Sequence, residues 1–211
     1  GLGDPQKPLL VSVRSGAAVS MPGMMDTVLN LGLNDEVIAG IIKRTRNSRF
    51  AYDIYRRFID MFGNVVMGCE HEYFEKEIHS AKEKAGVKLD NELSAEQLKE
   101  VVEKYKAVYK KHVGQLFPQQ GRVQLTHAIN AVISSWMIER AVTYRRLNNI
   151  TGLLGTAVNV QAMVFHGLLV VMYGGMTLFL IHQRNAKQKD LMQMIHCFSY
   201  IHLEQQVNQR V

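Results

Sequence analysis

Residues 8 to 34 constrain this chain more than any other stretch. A short apolar run, Leu9 to Val13, delivers Arg14 directly into a segment of small residues that carries Gly16, Ala17, Ala18, Pro22 and Gly23. Apolar spacing then returns from Thr27 to Leu33. This is the composition of an anion site: a strand end fixes a guanidinium, and small side chains let backbone N–H groups approach phosphate oxygens. The loop has no Gly-Lys-Ser/Thr ending and no Gly-x-Gly-x-x-Gly spacing, so neither a Walker loop nor a dinucleotide fingerprint is present. Read from the residues alone, Arg14 serves phosphate, caps carbonyls, or pairs with a carboxylate such as Asp26. Gly16 and Gly23 serve a phosphate loop or plain turns. Thr27 is expected to cap a helix that starts here.

The 211 residues are 47% hydrophobic, enough for a packed core of one domain or two small ones. The formal charge of +6 suits an anionic ligand. Basic residues alternate with acids instead of forming a run, which argues for one local phosphate site on a solvated surface and against nucleic-acid binding. The two cysteines, Cys69 and Cys197, lack partners at metal-ligand spacing and read as reduced thiols. No basic region followed by an apolar one opens the chain, so no targeting segment is visible, and a start at Gly1 suggests part of something longer.

Residues 34–150 read as helical. Ala51, Ile54, Tyr55, Phe58, Ile59 and Phe62 stripe one helix face, with Gly63 as the expected stop. Phe74 to Ala85 forms a shorter helix ending at Gly86, and Ser94 with Gln97 forms a capping box for a helix that runs to Gly114. Leu125, Ile129, Val132, Ile133 and Trp136 stripe the next one. His71, beside Glu72 and Glu75, lacks the second histidine of a metalloprotease helix, and His79, His112 and His127 need no function in helices. Ala157 to Phe165 has strand character.

Several segments are together similar to one family, the nucleotide-binding domain of pyruvate, phosphate dikinase. They are Val11-Ser12-Val13-Arg14-Ser15-Gly16, Ser20-Met21-Pro22-Gly23-Met24-Met25-Asp26-Thr27, Arg49-Phe50-Ala51-Tyr52-Asp53 with Arg56-Arg57-Phe58, Trp136 with Arg140 to Arg146, and Gly155 to Phe165. The resemblance implies an α+β fold: an incomplete ATP-grasp-like core from 1–33 and 151–165, with a large helical insertion over 34–150. It implies that Arg14, Ser15, Gly16, Gly23, Met24, Met25, Asp26 and Thr27 lie over ATP phosphates, with Met25 covering the ring and Gln161 and Met163 bordering the adenine. ATP and Mg²⁺ are the implied cofactors. The implied partners are ATP itself and the remaining domains of a parent enzyme, which carry the phosphohistidine and bind pyruvate or phosphoenolpyruvate. The implied compartment is the cytoplasm or an organelle such as a plastid.

In the family a lysine precedes the point matching Gly1 and metal-holding acids follow Phe165, so no catalytic residue and no metal ligand is assigned here, and this stretch alone is expected to be inactive. The other class of function is a noncatalytic helical interaction module or a small membrane-tethered protein. Between Leu147 and Gln183 there is no charged side chain. Ala162 to Ile181 therefore reads as a membrane helix, as two buried strands split at Gly174-Gly175, or as the start of a tail, 166–211, foreign to the fold. On the last reading the strand ending at Phe165 has an unpaired edge.

Overall fold

The computed structural model describes residues 1–19, 21, 23, 25–153, 155–166 and 169–172. Four strands form one antiparallel sheet: β1 (Leu10–Ser15), β2 (Thr27–Leu31), β3 (Val158–His166) and β4 (Leu169–Met172), in the spatial order β2-β1-β3-β4. Segments distant in sequence thus meet at β1, which pairs with β2 on one side and β3 on the other. Leu10 and Val13 are wholly buried, as expected of a central strand.

Residues 27–31 are a strand, and Thr27 opens it instead of capping a helix. Val28 and Leu31 are fully buried and pair with Val13 and Val11, with an irregular register between the two pairs. Asn30 sits there in the left-handed region, at φ 61°. That extra residue places two buried side chains three apart and mimics helical spacing within a strand. The helix begins later: Asn34 caps α1 (Asp35–Thr45), its side-chain oxygen accepting from Val37 N at 2.7 Å.

Helices α2 (Ser48–Met61), α3 (His71–Ala85), α4 (Ala95–Val113), α5 (Gly121–Ser135) and α6 (Glu139–Leu147) follow. The capping box expected at Ser94 and Gln97 is present, and α4 ends at Gly114. Gly63 does not stop the chain. It lies in a π-helical turn, Phe62–Val66, that continues α2. A Cβ at Gly63 would stand 2.7 Å from the Phe74 ring, so this glycine is needed for close packing, not for termination. Around it Phe117 makes edge contacts with Tyr55, Phe58, Phe62 and Tyr109, at centroid distances of 5.3–6.2 Å. The buried Arg56 ties the helices together, bonding Asp53 and, at 2.9 Å, Asp90, which also pairs with Lys82.

Helix α5 packs against β1 and β2 and connects the helical layer to the sheet. Residues Gly1–Gly174 form one compact unit. The edge of β3 expected to be unpaired is covered by β4, with Met163 to His166 opposite Leu169 to Met172. Within the charge-free run, Val158–His166 and Leu169–Met172 are strand, which overturns a membrane helix beginning at Ala162. The run beyond Met172, and with it the reading of 166–211 as a foreign tail past that point, lies outside the described residues. Among the described residues no helix is long and apolar enough to cross a membrane.

Candidate functional site

Register decides what the sheet brings together. Arg14 lies opposite Asn159 on β3 and Thr27 on β2, Ser12 opposite Gln161, and Leu10 opposite Met163. Residues directly opposite in antiparallel strands project to the same side. One row on the sheet therefore passes from the buried pair Leu10 and Met163, through Ser12 and Gln161, to half-buried Arg14 and exposed Asn159. The Ser12 hydroxyl in this row is buried and has no hydrogen-bond partner among the described residues. Met163 is 7% exposed, and its sulfur accepts from Asn30 N at 3.3 Å, so its side chain belongs to the core.

The loop of residues 16–26 closes the β1–β2 hairpin beside Arg14 and Thr27. Its near end is fixed to the approach of β3: Gly16 N donates to Ala157 O at 2.7 Å, and the Ser15 and Thr156 hydroxyls are 2.6 Å apart. A Cβ at Gly16 would stand 2.8 Å from Asn159 Nδ2, so only glycine leaves that amide its place. Gly23 stands exposed at φ 72° with open space around its Cα, while Met21 is buried. Met24 lies outside the described residues.

At the far end of the loop, Asp26 pairs with Arg140 of α6, not with Arg14. Met25 is half-buried, its sulfur 3.9 Å from the Ser135 hydroxyl at the end of α5. Arg145 stacks over the Trp136 ring at 3.9 Å and holds α6 to the same corner. Sequence reasoning did not single out Asn159, Thr156 or Arg140 as site residues. The cluster of Arg140, Arg145 and Arg146 was the available signal, but their targets lie in remote segments.

The donor set fits an anionic nucleotide: a guanidinium, two hydroxyls and a glycine-lined loop at a sheet end, with amide side chains along the neighbouring strand. It does not fit a magnesium ion. No group of three or more His, Cys, Asp or Glu side chains comes together among the described residues, and the carboxylate nearest the loop, Asp26, is engaged by Arg140. Elsewhere, His71 Nδ1 at the start of α3 lies 2.8 Å from Asp60 Oδ1, and the hydrogen bond it donates to Asp60 raises the pKa of His71. Burial pushes the Asp60 carboxyl up as well. Cys69 is buried as a free thiol, and Cys197 lies outside the described residues.

This arrangement, a small antiparallel sheet carrying a glycine-containing loop and backed by helices, is that of an α+β nucleotide-binding domain. Residues 2–192 match the family model of the pyruvate phosphate dikinase AMP/ATP-binding domain, and the chain belongs to that family. The match extends beyond Phe165. The chain is 63% identical over 164 residues to the chloroplastic pyruvate, phosphate dikinase of Mesembryanthemum crystallinum. It is 60% identical over the same length to pyruvate, phosphate dikinase 1, chloroplastic, from both Arabidopsis thaliana and Zea mays. In each case the match covers 78% of this chain and 17% of the relative.

Proposed function

We propose that this chain forms the phosphate-binding corner of the ATP site of a pyruvate, phosphate dikinase, with Arg14 as its principal phosphate ligand. Family membership supports the nucleotide, and the observation that carries the local reading is the register of β1. That register sets Arg14 beside Thr27, Asn159 and the mouth of the 16–26 loop. Arg14 donates to phosphate oxygens, and backbone N–H groups of the small-residue loop beyond Gly16, whose own N–H is engaged by Ala157 O, complete the cradle. Gln161, two residues along β3 from Asn159, borders the base, with Met163 supplying the apolar floor beneath it. Met25 and Thr27 close the loop's far side.

In the parent enzyme this corner holds ATP while phosphoryl transfer proceeds to a histidine on another domain, interconverting ATP, phosphate and pyruvate with AMP, pyrophosphate and phosphoenolpyruvate. Mg²⁺ neutralises the triphosphate in such chemistry. The described residues supply no site for it, and it carries no step in this reading. An ATP-grasp-like core with residues 34–150 inserted, and a plastid location, extend the same proposal from the relatives' names and the sheet's order. A noncatalytic interaction module or membrane-tethered protein is not favoured.

Equilibrium dialysis of labelled ATP against the 211-residue chain and its Arg14→Ala variant tests the assignment. Loss of a charged hydrogen-bond partner is worth about 1.5–3 kcal/mol, or roughly 10- to 150-fold in affinity. Equal affinities, with both proteins folded, would return Arg14 to a structural role.

A further inference from the structure

The two arms of the 16–26 loop are held differently. Backbone and hydroxyl contacts to residues 156 and 157 fix the near arm. The far arm is tied to the α5–α6 corner by the ion pair of Asp26 with Arg140, at a separation of 114 residues in sequence. Arg140 is the second residue of α6, where a cation opposes the positive end of the helix dipole and favours the helix least. Its position is therefore not explained by helix stability. The α5–α6 corner to which it belongs is braced by Arg145 over Trp136, and the neighbouring Met25 sulfur meets Ser135 on the same corner.

We infer that Arg140 is a positioning residue for the nucleotide phosphates, acting through Asp26; this rests on the phosphate reading of the loop. It has two effects. It anchors the end of the loop from which Thr27 enters β2, next to Arg14. It also neutralises a carboxylate that would otherwise face the triphosphate from within its own binding loop. Without Arg140, the loop both loses its anchor and presents an uncompensated negative charge to an anionic ligand.

A double-mutant cycle separates this from direct phosphate contact. Arg140→Gln is expected to weaken ATP binding to the full chain roughly fivefold, the upper range for a partly exposed pair. In an Asp26→Asn background, where there is no carboxylate to anchor or neutralise, the same substitution should change affinity less than about twofold. Arg140→Lys should retain most of the binding, since it keeps the charge. Equal losses in both backgrounds would overturn the inference, because Arg140 would then act other than through Asp26. Hydrogen exchange of the peptide spanning residues 16–26, measured without nucleotide, supplies a readout independent of ATP. It should accelerate in Arg140→Gln but not further when Asp26→Asn is already present; unchanged exchange in Arg140→Gln would overturn the anchoring role. If the unsubstituted chain fails to bind ATP, the phosphate reading falls and takes the nucleotide part of this inference with it. The exchange data would still decide whether Arg140 orders the loop.

Discussion

The helical layer and the sheet corner of this molecule are built by opposite rules. Between Asp35 and Val113, helices are capped at defined residues, rings meet edge to face around Phe117, and the buried Arg56 is matched by Asp53 and Asp90. The corner at the end of β1 instead leaves Asn159, Ala18, Val19 and Gly23 exposed, and its buried Ser12 hydroxyl has no partner among the described residues. The corner's contacts, Ser15 with Thr156, Gly16 with Ala157 and Asp26 with Arg140, join segments far apart in sequence at the surface, whereas those of the helical layer lie around a buried core. The proposed phosphate site thus draws on residues other than those that build the core.

Substitutions that break one region should leave the other intact. The largest effect is expected from Phe117→Ala, which removes the ring that four aromatic neighbours contact and should cost about 3–5 kcal/mol of unfolding free energy. Denaturant titration measures this, and ATP protection of the remaining folded protein should persist. Arg14→Ala is the converse: the affinity loss given above with a nearly unchanged unfolding midpoint, because Arg14 is only half-buried at a strand end. An equal loss of stability would erase the distinction between the regions.

The smallest effect sharpens the comparison within the helical layer. Because the hydrogen bond that His71 donates to Asp60 raises the pKa of His71 above its ordinary 6.5, the pair contributes fully below that value. Its contribution is lost as pH rises through the raised pKa. The raised pKa of Asp60 acts with the same sign at more acid pH. The His71 side chain is 54% exposed, so solvent screens the pair and its worth is under about 1 kcal/mol. Urea midpoints should fall slightly from pH 6 to pH 8 in the unsubstituted chain, and the decline should vanish in His71→Gln. ATP affinity should not follow this titration.

What was legible in the sequence follows the same division. Arg14 at the end of an apolar strand, the capping box of Ser94 and Gln97 and the stripes of α2 and α4 are local signals, and the structure realises them. On α5 the buried face is instead Gly121, Gln124, Ala128, Val132 and Ser135, with Ile133 exposed, because α5 packs on the sheet. Strand β2 was hidden because the irregularity at Asn30 puts Val28 and Leu31 at helix-like spacing. Gly63 reads as a stop because only the folded chain shows the Phe74 ring filling the place of its missing side chain. The partnership of Asp26 with Arg140, and the alignment of Asn159 with Arg14, depend on strand register and a helix corner more than a hundred residues away. No local periodicity encodes either.

Hydrogen exchange of the full chain with and without ATP is the most direct test of the claim that nucleotide binding resides in the sheet corner. Slowed exchange is expected in peptides covering residues 12–27 and 156–163, with α2, α3 and α4 unchanged. Protection centred on those helices, or none anywhere at saturating ATP, would contradict it.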